Sequence, residues 1–391
     1  MAPQTGHQLF VYAEAPPLAG DVVTHGLFRA STPMLRAVRD TIDVIALFPW
    51  DRHFRAAMLD PVLAPLCRAP SLLLTWLRLA MRRLSLRPME SRLAATLVGG
   101  RAARSKAEHI LCLEGSDPDV LADVAAVAAR AGKPFSVYVV DDFLIPMRLA
   151  GAGEATIEAA RQRARTLLQR ADHVFAISDG LGKIFEKDFG VTTTTLPLVF
   201  EPGPQYAEPL RKQILFVGSV NFLYADALRQ LLAVVTQVRA QTGEDLVIRL
   251  TSPSAAALGE LPPFVTVAPL KGAEALAREL SASLFAFLPY SFEEKVADMV
   301  RTSFPSKLME YLAYARSIVA FAPDYANSSA YFRDFGLPYL VHDLAALKAT
   351  ILLHLREQPM HASLYRQQLQ SVHAPTVARN ILLSSLFGRA S

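Results

Sequence analysis

Lys307 and Glu310 lie three positions apart near the start of a helix-like run, within the segment SFPSKLMEYLAYARSIVAF at 303–321. Side chains three positions apart share one face of a helix, so both charged groups are predicted to project on the same side. The first turn of a helix carries free N–H groups and a partial positive charge. Together with Lys307, this helix start is suited to a phosphate or a diphosphate.

The neighbouring residues favour a helix that begins at this place. Pro305 is tolerated in the first turn of a helix, and Ser303 or Ser306 can cap the free amides. Glu310, one turn deeper, can accept hydrogen bonds from paired hydroxyls such as those of a ribose. The segment therefore fits a nucleotide held by its phosphate and its sugar, and an ordinary capped helix with a surface Lys/Glu pair remains the alternative.

Two further carboxylates, Asp141 and Asp142, follow the apolar run FSVYVV at 135–140. Doubly wound domains place functional groups at the carboxyl ends of their strands. A carboxylate at such a position can orient or deprotonate a hydroxyl of a bound ligand. A carboxylate that caps a helix or orders a loop is the equally open alternative.

Other patterns give no sign of a metal or a redox cofactor. The Asp-Pro-Asp of 117–119 is better explained by a helix start, with Asp117 as the cap and Pro118 at the first helical position. The nine histidines form no metal-ligand pattern. The two cysteines, Cys67 and Cys112, have neither metal-type nor disulfide-type spacing. We therefore expect no metal and no cofactor, and a reducing cytoplasm.

The elements that must position these residues alternate between short apolar runs and helical patterns, which is typical of a parallel sheet covered by helices. The predicted strands of the first half are 8–13, 43–48, 109–113, 135–140 and 173–178. Those of the second half are 214–218, 245–250, 264–268, 284–289 and 317–322. A proline-rich segment at 198–213 separates the halves and reads as a linker.

This organisation predicts two facing Rossmann-like domains of α/β class with a ligand cleft between them. The expected boundaries are 1–200 for the first domain, 201–375 for the second domain and 376–391 for a C-terminal helix. That helix is amphipathic. It either packs back on the first domain or stays on its own domain.

Composition indicates a globular chain: 391 residues with 52% hydrophobic and 19% charged residues. The first residues lack the pattern of a signal peptide, and no apolar run is long enough to span a bilayer. The formal charge is only +4, but 67–106 carries nine Lys or Arg against one acid. In this stretch, leucines alternate with Trp76 and basic residues, including Arg78, Arg82 and Arg83.

Such a basic amphipathic stretch favours docking on an anionic membrane surface. A solvent-facing helix of the first domain, or an acceptor-binding surface, is the alternative. A nucleic-acid partner is not expected, because no nucleic-acid motif accompanies the basic residues.

The segment Ser303-Phe304-Pro305-Ser306-Lys307-Leu308-Met309-Glu310-Tyr311-Leu312-Ala313 resembles the donor-binding signature of GT-B glycosyltransferases, in particular the large retaining, family 4-like group. KQILFVGSV resembles the strand and glycine turn that open the donor domain. AGKPFSVYVVDDF and RADHVFAISDGLGKIFEKDFGV resemble the last units of the acceptor domain. The likeness runs from about residue 108 to about residue 355.

The resemblance implies a GT-B fold and transfer of a sugar, with retention, from a UDP- or GDP-linked donor to a glycan or lipid-linked acceptor. It implies that 1–200 binds the acceptor and that 201–375 binds the nucleotide sugar. It implies that Lys307, Asp141 and Asp142 take part in the chemistry, with one aspartate orienting or deprotonating the acceptor hydroxyl. It implies that the donor contacts lie at Gly218, Ser219, Arg301, Thr302, Ser303, Ser306, Lys307 and Glu310.

Two departures from that family's pattern leave other activities open. Thr302 stands where many members carry a first glutamate, and Ser219 stands where many carry an arginine after the glycine. The expected function is a hexosyltransferase of the cytoplasm, peripheral on the inner face of the membrane. A nucleotide-sugar epimerase and a non-catalytic subunit of a glycosyltransferase complex, both of GT-B fold, are the alternatives.

Overall fold

The computed structural model describes residues 7–13, 26–47, 60–68, 80–81, 84, 92–93, 95–114 and 119–388. The chain divides into two compact units. The first unit contains Met1–Val199 and Pro375–Ser391, and the second contains Phe200–Ala374. Residues 196–210 carry no helix or strand and span the boundary at which the linker was predicted.

The first unit contains a sheet of seven described strands, all parallel, in the order β3-β2-β1-β4-β5-β6-β7. The strands are β1 Leu9–Ala13, β2 Ile42–Leu47, β3 Cys67–Arg68, β4 His109–Glu114, β5 Phe135–Val139, β6 His173–Ala176 and β7 Thr193–Thr195. Its helices are α1 Gly26–Ala37, α2 Gly100–Arg104, α3 Asp119–Ala131, α4 Leu144–Leu149, α5 Glu154–Leu168 and α6 Asp179–Phe189. A π-helical turn, Ala95–Gly99, precedes α2.

The second unit contains six described strands, again all parallel, in the order β10-β9-β8-β11-β12-β13. The strands are β8 Arg211–Phe216, β9 Val247–Leu250, β10 Val265–Val267, β11 Ser283–Pro289, β12 Ile318–Phe321 and β13 Leu340–Val341. The helices are α7 Ala225–Thr242, α8 Gly272–Ala282, α9 Ala297–Thr302, α10 Leu308–Tyr314, α11 Asn327–Asp334, α12 Leu344–Glu357 and α13 Ala362–Val372.

All ten predicted strands overlap observed strands, because long apolar runs mark strands that are buried on both faces of a parallel sheet. Every residue of β1, β5 and β11 is buried. Sequence reasoning missed β3, β7 and β13, which have only two or three residues each. Their residues (CR, TTT and LV) include no apolar run that marks a strand, whereas β10, which is equally short and also at an outer position, lies in the run FVTVA.

Helix ends follow the expected local chemistry where the structure describes them. The Ser178 hydroxyl accepts a hydrogen bond from the Leu181 amide at the start of α6. Gly132 ends α3 with a positive φ of 64°. The predicted cap at Asp117 and Pro118 lies outside the described residues.

The last helix, α14 Pro375–Phe387, belongs to the first unit by its contacts. Arg379 donates to the Ala37 carbonyl at 3.0 Å and to the Asp40 carboxylate at 2.9 Å. The Phe387 ring stacks on the His7 ring, with 4.5 Å between the two centroids. These contacts attach the end of the chain to the region around α1 and to the residues that precede β1.

Candidate functional site

The second sheet reverses its winding between β8 and β11, because β9 and β10 lie on one side of β8 while β12 and β13 lie beyond β11. In open α/β sheets, ligands bind outside the carboxyl ends of the strands at such a switch point. The residues that follow these two strand ends therefore identify the candidate site. They include Gly218 after β8 and Tyr290 after β11.

Gly218 has a backbone conformation that L-residues rarely adopt, with φ at 110°. Its N–H donates to the Thr251 hydroxyl at 3.1 Å, which ties the end of β8 to the end of β9. A Cβ built on Gly218 lies 3.5 Å from Lys307 Nζ. The glycine thus leaves the space beside the ammonium open.

Lys307 is buried, with 7% of its surface exposed. Its ammonium lies over the Tyr224 ring, 3.8 Å from the centroid, and over the Phe216 ring, 4.2 Å from the centroid. These contacts, together with Gly218, are all made inside the second unit. A cation from α10's start is therefore held at the carboxyl end of β8, where the topology places a ligand.

Tyr311 explains why α10 lies at this place. It is fully buried, and its hydroxyl accepts from the Val217 amide at 3.0 Å and donates to the Phe287 carbonyl at 3.2 Å. One side chain therefore links the helix to the end of β8 and to β11. No pattern in the sequence indicates this role of the Tyr311 hydroxyl, because its two partners lie far away along the chain.

The start of α10 differs from the expectation in one respect. Lys307 itself occupies the N-cap position, and no side chain caps the helix, so the predicted serine cap is wrong. The amides of Leu308 and Met309 donate to the carbonyls of Pro305 and Ser306 at 2.9 and 3.2 Å. The carbonyls of a tight turn therefore accept the hydrogen bonds that a capping serine would otherwise accept. The positive charge at this helix start comes from Lys307.

Glu310 lies in the first turn of α10 and is 9% exposed. Lys307 and Glu310 are both buried, so they do not form the exposed surface pair that the sequence left as an alternative. A buried charged group is costly unless another group compensates for its lost hydration. Two buried charged residues at a switch point fit a ligand-binding site.

The remaining predicted donor contacts lie in the same region but differ in exposure. Ser219 is exposed, whereas Ser303 and Ser306 are partly exposed. The exposed Arg301 donates to Asp298 at 3.1 Å, and its guanidinium lies 4.6 Å from the centre of the Tyr325 ring. Thr302 is 4% exposed, and its hydroxyl donates to two carbonyls of its own helix at 3.2 Å.

Asp141 and Asp142 follow β5 in the first unit and have different environments. Asp142 is 5% exposed, and its Oδ1 accepts from the Leu144 amide at 2.9 Å, which is the loop-ordering role. Asp141 is exposed to solvent. Desolvation by surrounding protein atoms, and then the charge of Asp142, raise the pKa of Asp141 to about 6. Because its side chain is also exposed, solvent screening limits the size of that rise.

The predicted membrane-contacting residues Trp76, Arg78, Arg82 and Arg83 lie outside the described residues. Across the part of the chain that the structure describes, every helix is too short or too polar to cross a bilayer. Within the same residues, no group of three or more His, Cys, Asp or Glu side chains could hold a metal ion.

Sequence reasoning missed Phe216 and Tyr224, whose rings contact the Lys307 ammonium. Phe216 looked like an ordinary strand residue and Tyr224 like a residue before a helix. No spacing rule links either of them to position 307, because the sheet order brings them together.

No model of a known protein family matches the chain, and no curated protein matches it in sequence. Solved structures are similar in fold. A lipopolysaccharide outer core galactosyltransferase, WaaB, in its apo form, has a TM-score of 0.61 at 12% identity over 98% of this chain and 99% of that one. HepE of Anabaena in complex with UDP-glucose has a TM-score of 0.59 at 14% identity over 97% and 100%.

A third similar structure is a putative UDP-N-acetylglucosamine 2-epimerase from Listeria monocytogenes, with a TM-score of 0.50 at 12% identity over 98% of both chains. At these identities the likeness establishes the fold alone. The chain has the GT-B fold expected from its sequence, with two parallel sheets and their covering helices.

Proposed function

We propose that this protein is a glycosyltransferase that takes a sugar from a nucleotide-sugar donor bound by the second unit. One observation carries the proposal: the Lys307 ammonium lies beside Gly218 at the switch point between β8 and β11. The position is where the sheet topology predicts a ligand, and the charge is that required by a diphosphate.

The chemistry follows from the charge that develops as the sugar leaves. Breaking the bond between the sugar and the diphosphate leaves negative charge on the phosphate oxygens. A preorganised ammonium in a place with little water stabilises that charge more than water does. Lys307, only 7% exposed and held against two rings, meets this requirement.

Glu310 is proposed to accept hydrogen bonds from the ribose hydroxyls. A carboxylate is an acceptor of two hydrogen bonds, and paired hydroxyls are two donors at matching spacing. Gly218 is proposed to let the backbone approach the donor, since it has no side chain and a Cβ at this position would lie 3.5 Å from the Lys307 ammonium.

The similar structures support this donor class. HepE of Anabaena was solved with UDP-glucose, and WaaB is a galactosyltransferase. We therefore propose a UDP-linked hexose as the first donor to test and a GDP-linked one as the second. Retention of the anomeric configuration and a glycan or lipid-linked acceptor are proposed from the resemblance of the sequence.

Asp141 is proposed as the residue that orients or deprotonates the acceptor hydroxyl. Its side chain is accessible, and its raised pKa of about 6 suits a group that takes a proton near neutral pH. Asp142 is proposed to support it, because its carboxylate already holds the loop through the Leu144 amide.

Two other functions have specific support. An epimerase is favoured by the likeness to the Listeria protein, which extends over 98% of both chains. A non-catalytic subunit is favoured by Thr302, which stands where many members of the resembled family carry a glutamate and whose hydroxyl is bonded to its own helix. Sugar transfer is preferred over epimerisation because the TM-scores of WaaB and HepE, 0.61 and 0.59, exceed the 0.50 of the Listeria protein. It is preferred over the subunit because Lys307 and Glu310, the groups proposed to hold a donor, are both present.

The test is a panel of nucleotide sugars followed by product analysis. A ligand at 100 times its dissociation constant stabilises a protein by about 2.7 kcal/mol, which raises the melting temperature by several degrees. The expected result is stabilisation by one nucleotide sugar and its slow hydrolysis without an acceptor. Binding with a changed sugar configuration identifies an epimerase, and binding without turnover identifies the subunit.

The cellular site is proposed from the sequence alone. The arginine-rich stretch within 67–106 is proposed to dock the protein on the anionic inner face of a membrane, with the rest of the chain in the cytoplasm.

A further inference from the structure

The rings that contact the Lys307 ammonium come from positions to which the proposed function gives no role. Phe216 is the last residue of β8 and is fully buried. Tyr224 occupies the position just before α7. Both rings reach the ammonium at distances typical of strong cation–π contacts.

Tyr224 is fixed in place by its surroundings. Its ring packs against the Phe216 ring at 5.8 Å and against the Tyr290 ring at 5.5 Å, measured between centroids. The loop that precedes it is hydrogen-bonded to the segment after β9 and to the segment after β11. The Val220 amide donates to the Ser254 hydroxyl at 2.7 Å, and the Ser291 amide donates to the Leu223 carbonyl at 2.7 Å. The ring is therefore a rigid support for the lysine.

An aromatic face attracts an ammonium without carrying a net charge. A carboxylate at the same place would neutralise the lysine and compete with an incoming anion. The two ring faces hold the ammonium in position and do not themselves neutralise its positive charge.

The sequence around Gly218 makes this support more important. No Lys or Arg occurs from 219 to 228. The next basic residue, Arg229, is exposed and donates to the Ala257 carbonyl at 3.1 Å. The structure places the Lys307 ammonium beside Gly218 at the end of β8, so the accuracy of its position determines how well it can hold a diphosphate.

We propose that Tyr224 is a positioning residue for the donor diphosphate, acting through the Lys307 ammonium that its ring and that of Phe216 hold beside Gly218. The inference rests on the proposed function for its ligand. The contact between ring and ammonium stands on geometry of its own.

The experiment compares the affinities of UDP and uridine, measured by calorimetry, for wild type, Tyr224→Leu and Tyr224→Phe. Leucine keeps an apolar side chain but removes the ring, whereas phenylalanine keeps the ring. Tyr224→Leu is expected to weaken UDP about tenfold and uridine less than about twofold, and Tyr224→Phe is expected to bind both ligands as wild type does. Equal losses for UDP and uridine would mean a general packing defect and would overturn the proposal.

A matched control removes another aromatic ring that lies beside a cation. Arg239 lies 5.2 Å from the centre of the Phe264 ring, at the far end of α7. Phe264→Leu is expected to leave the ratio of the two affinities unchanged. A change as large as that of Tyr224→Leu would show that the ratio responds to any lost ring, and would overturn the assignment.

A double-mutant cycle with Lys307→Met tests whether the ring acts through the lysine. In the methionine background, Tyr224→Leu is expected to cause no further loss of UDP affinity. A full tenfold loss in that background would show that the ring acts on the ligand by another route.

A separate measurement distinguishes this inference from the proposed function. If wild type binds no nucleoside diphosphate, the proposed function fails. The four proteins of the double-mutant cycle are then compared by urea unfolding without ligand: wild type, Tyr224→Leu, Lys307→Met and the double variant. A coupling between positions 224 and 307 supports the ring–ammonium contact, and its absence overturns it.

Discussion

Lys307→Met is the substitution that most directly tests the candidate site. Methionine is unbranched and apolar, so it fills the space of the lysine stem between the rings and removes only the charge. We expect UDP to bind far more weakly to this variant. We expect uridine, which lacks the diphosphate, to bind nearly as it does to wild type.

The magnitude follows from the environment of the ammonium. A hydrogen bond to a charged group contributes about 1.5–3 kcal/mol in proteins. Lys307 is only 7% exposed, so solvent screens it little and the upper part of that range applies. Since about 1.4 kcal/mol corresponds to a tenfold change, UDP affinity should fall about thirtyfold to a hundredfold.

The free energy of unfolding of Lys307→Met, in contrast to its affinity for UDP, should increase slightly or stay the same. A desolvated charge that is replaced by an apolar side chain of similar volume is often neutral or stabilising. The variant loses the cation–π contacts with Phe216 and Tyr224 but also loses the cost of keeping a charge out of water. Its melting temperature without ligand should lie within a few degrees of that of wild type.

The assay is titration calorimetry with UDP and uridine, with a melting curve for each protein. Lys307→Arg serves as the control that keeps the charge and changes its shape. If Lys307→Met binds UDP as tightly as wild type does and has a normal melting temperature, the assignment of Lys307 to the diphosphate is refuted.

The other predictions address the ribose, the acceptor, the metal and the membrane. Glu310→Gln should weaken uridine and UDP by the same factor, and a loss confined to UDP would contradict a ribose contact. Because a base must be deprotonated and the pKa of Asp141 is raised to about 6, transfer should increase as pH rises through about 6. Asp141→Asn should remove this increase in activity with pH, and an unchanged pH profile would exclude the role of Asp141 as a base. Transfer should persist in EDTA, and activity lost in EDTA and restored by Mg²⁺ or Mn²⁺ would contradict metal independence. Anionic liposomes should bind wild type at low salt and release it at high salt, because screening extends over about 8 Å at physiological ionic strength. Changing Arg78, Arg82 and Arg83 together to Glu should abolish that binding without a large change in melting temperature. If wild type does not bind anionic liposomes at low salt, docking is contradicted.

The sequence by itself determined the α/β class, ten of the thirteen described strands, the local chemistry of the helix ends at Ser178 and Gly132, and the spacing of Lys307 and Glu310 by about one helical turn. These features follow from interactions between residues close in the chain. Apolar periods mark strands, a serine reaches an amide three positions on, and a helix places two residues on one face whatever surrounds it.

Only the tertiary structure decided which distant residues meet at the site. The order of strands in the second sheet brings the end of β8 and the start of α10 together, so that Phe216, Gly218 and Tyr224 meet Lys307. It also decided that Lys307 and Glu310 are buried and that the amides at the start of α10 are already bonded to a turn. Burial and contact across a sheet depend on how strands are ordered, and no local pattern in the chain encodes that order.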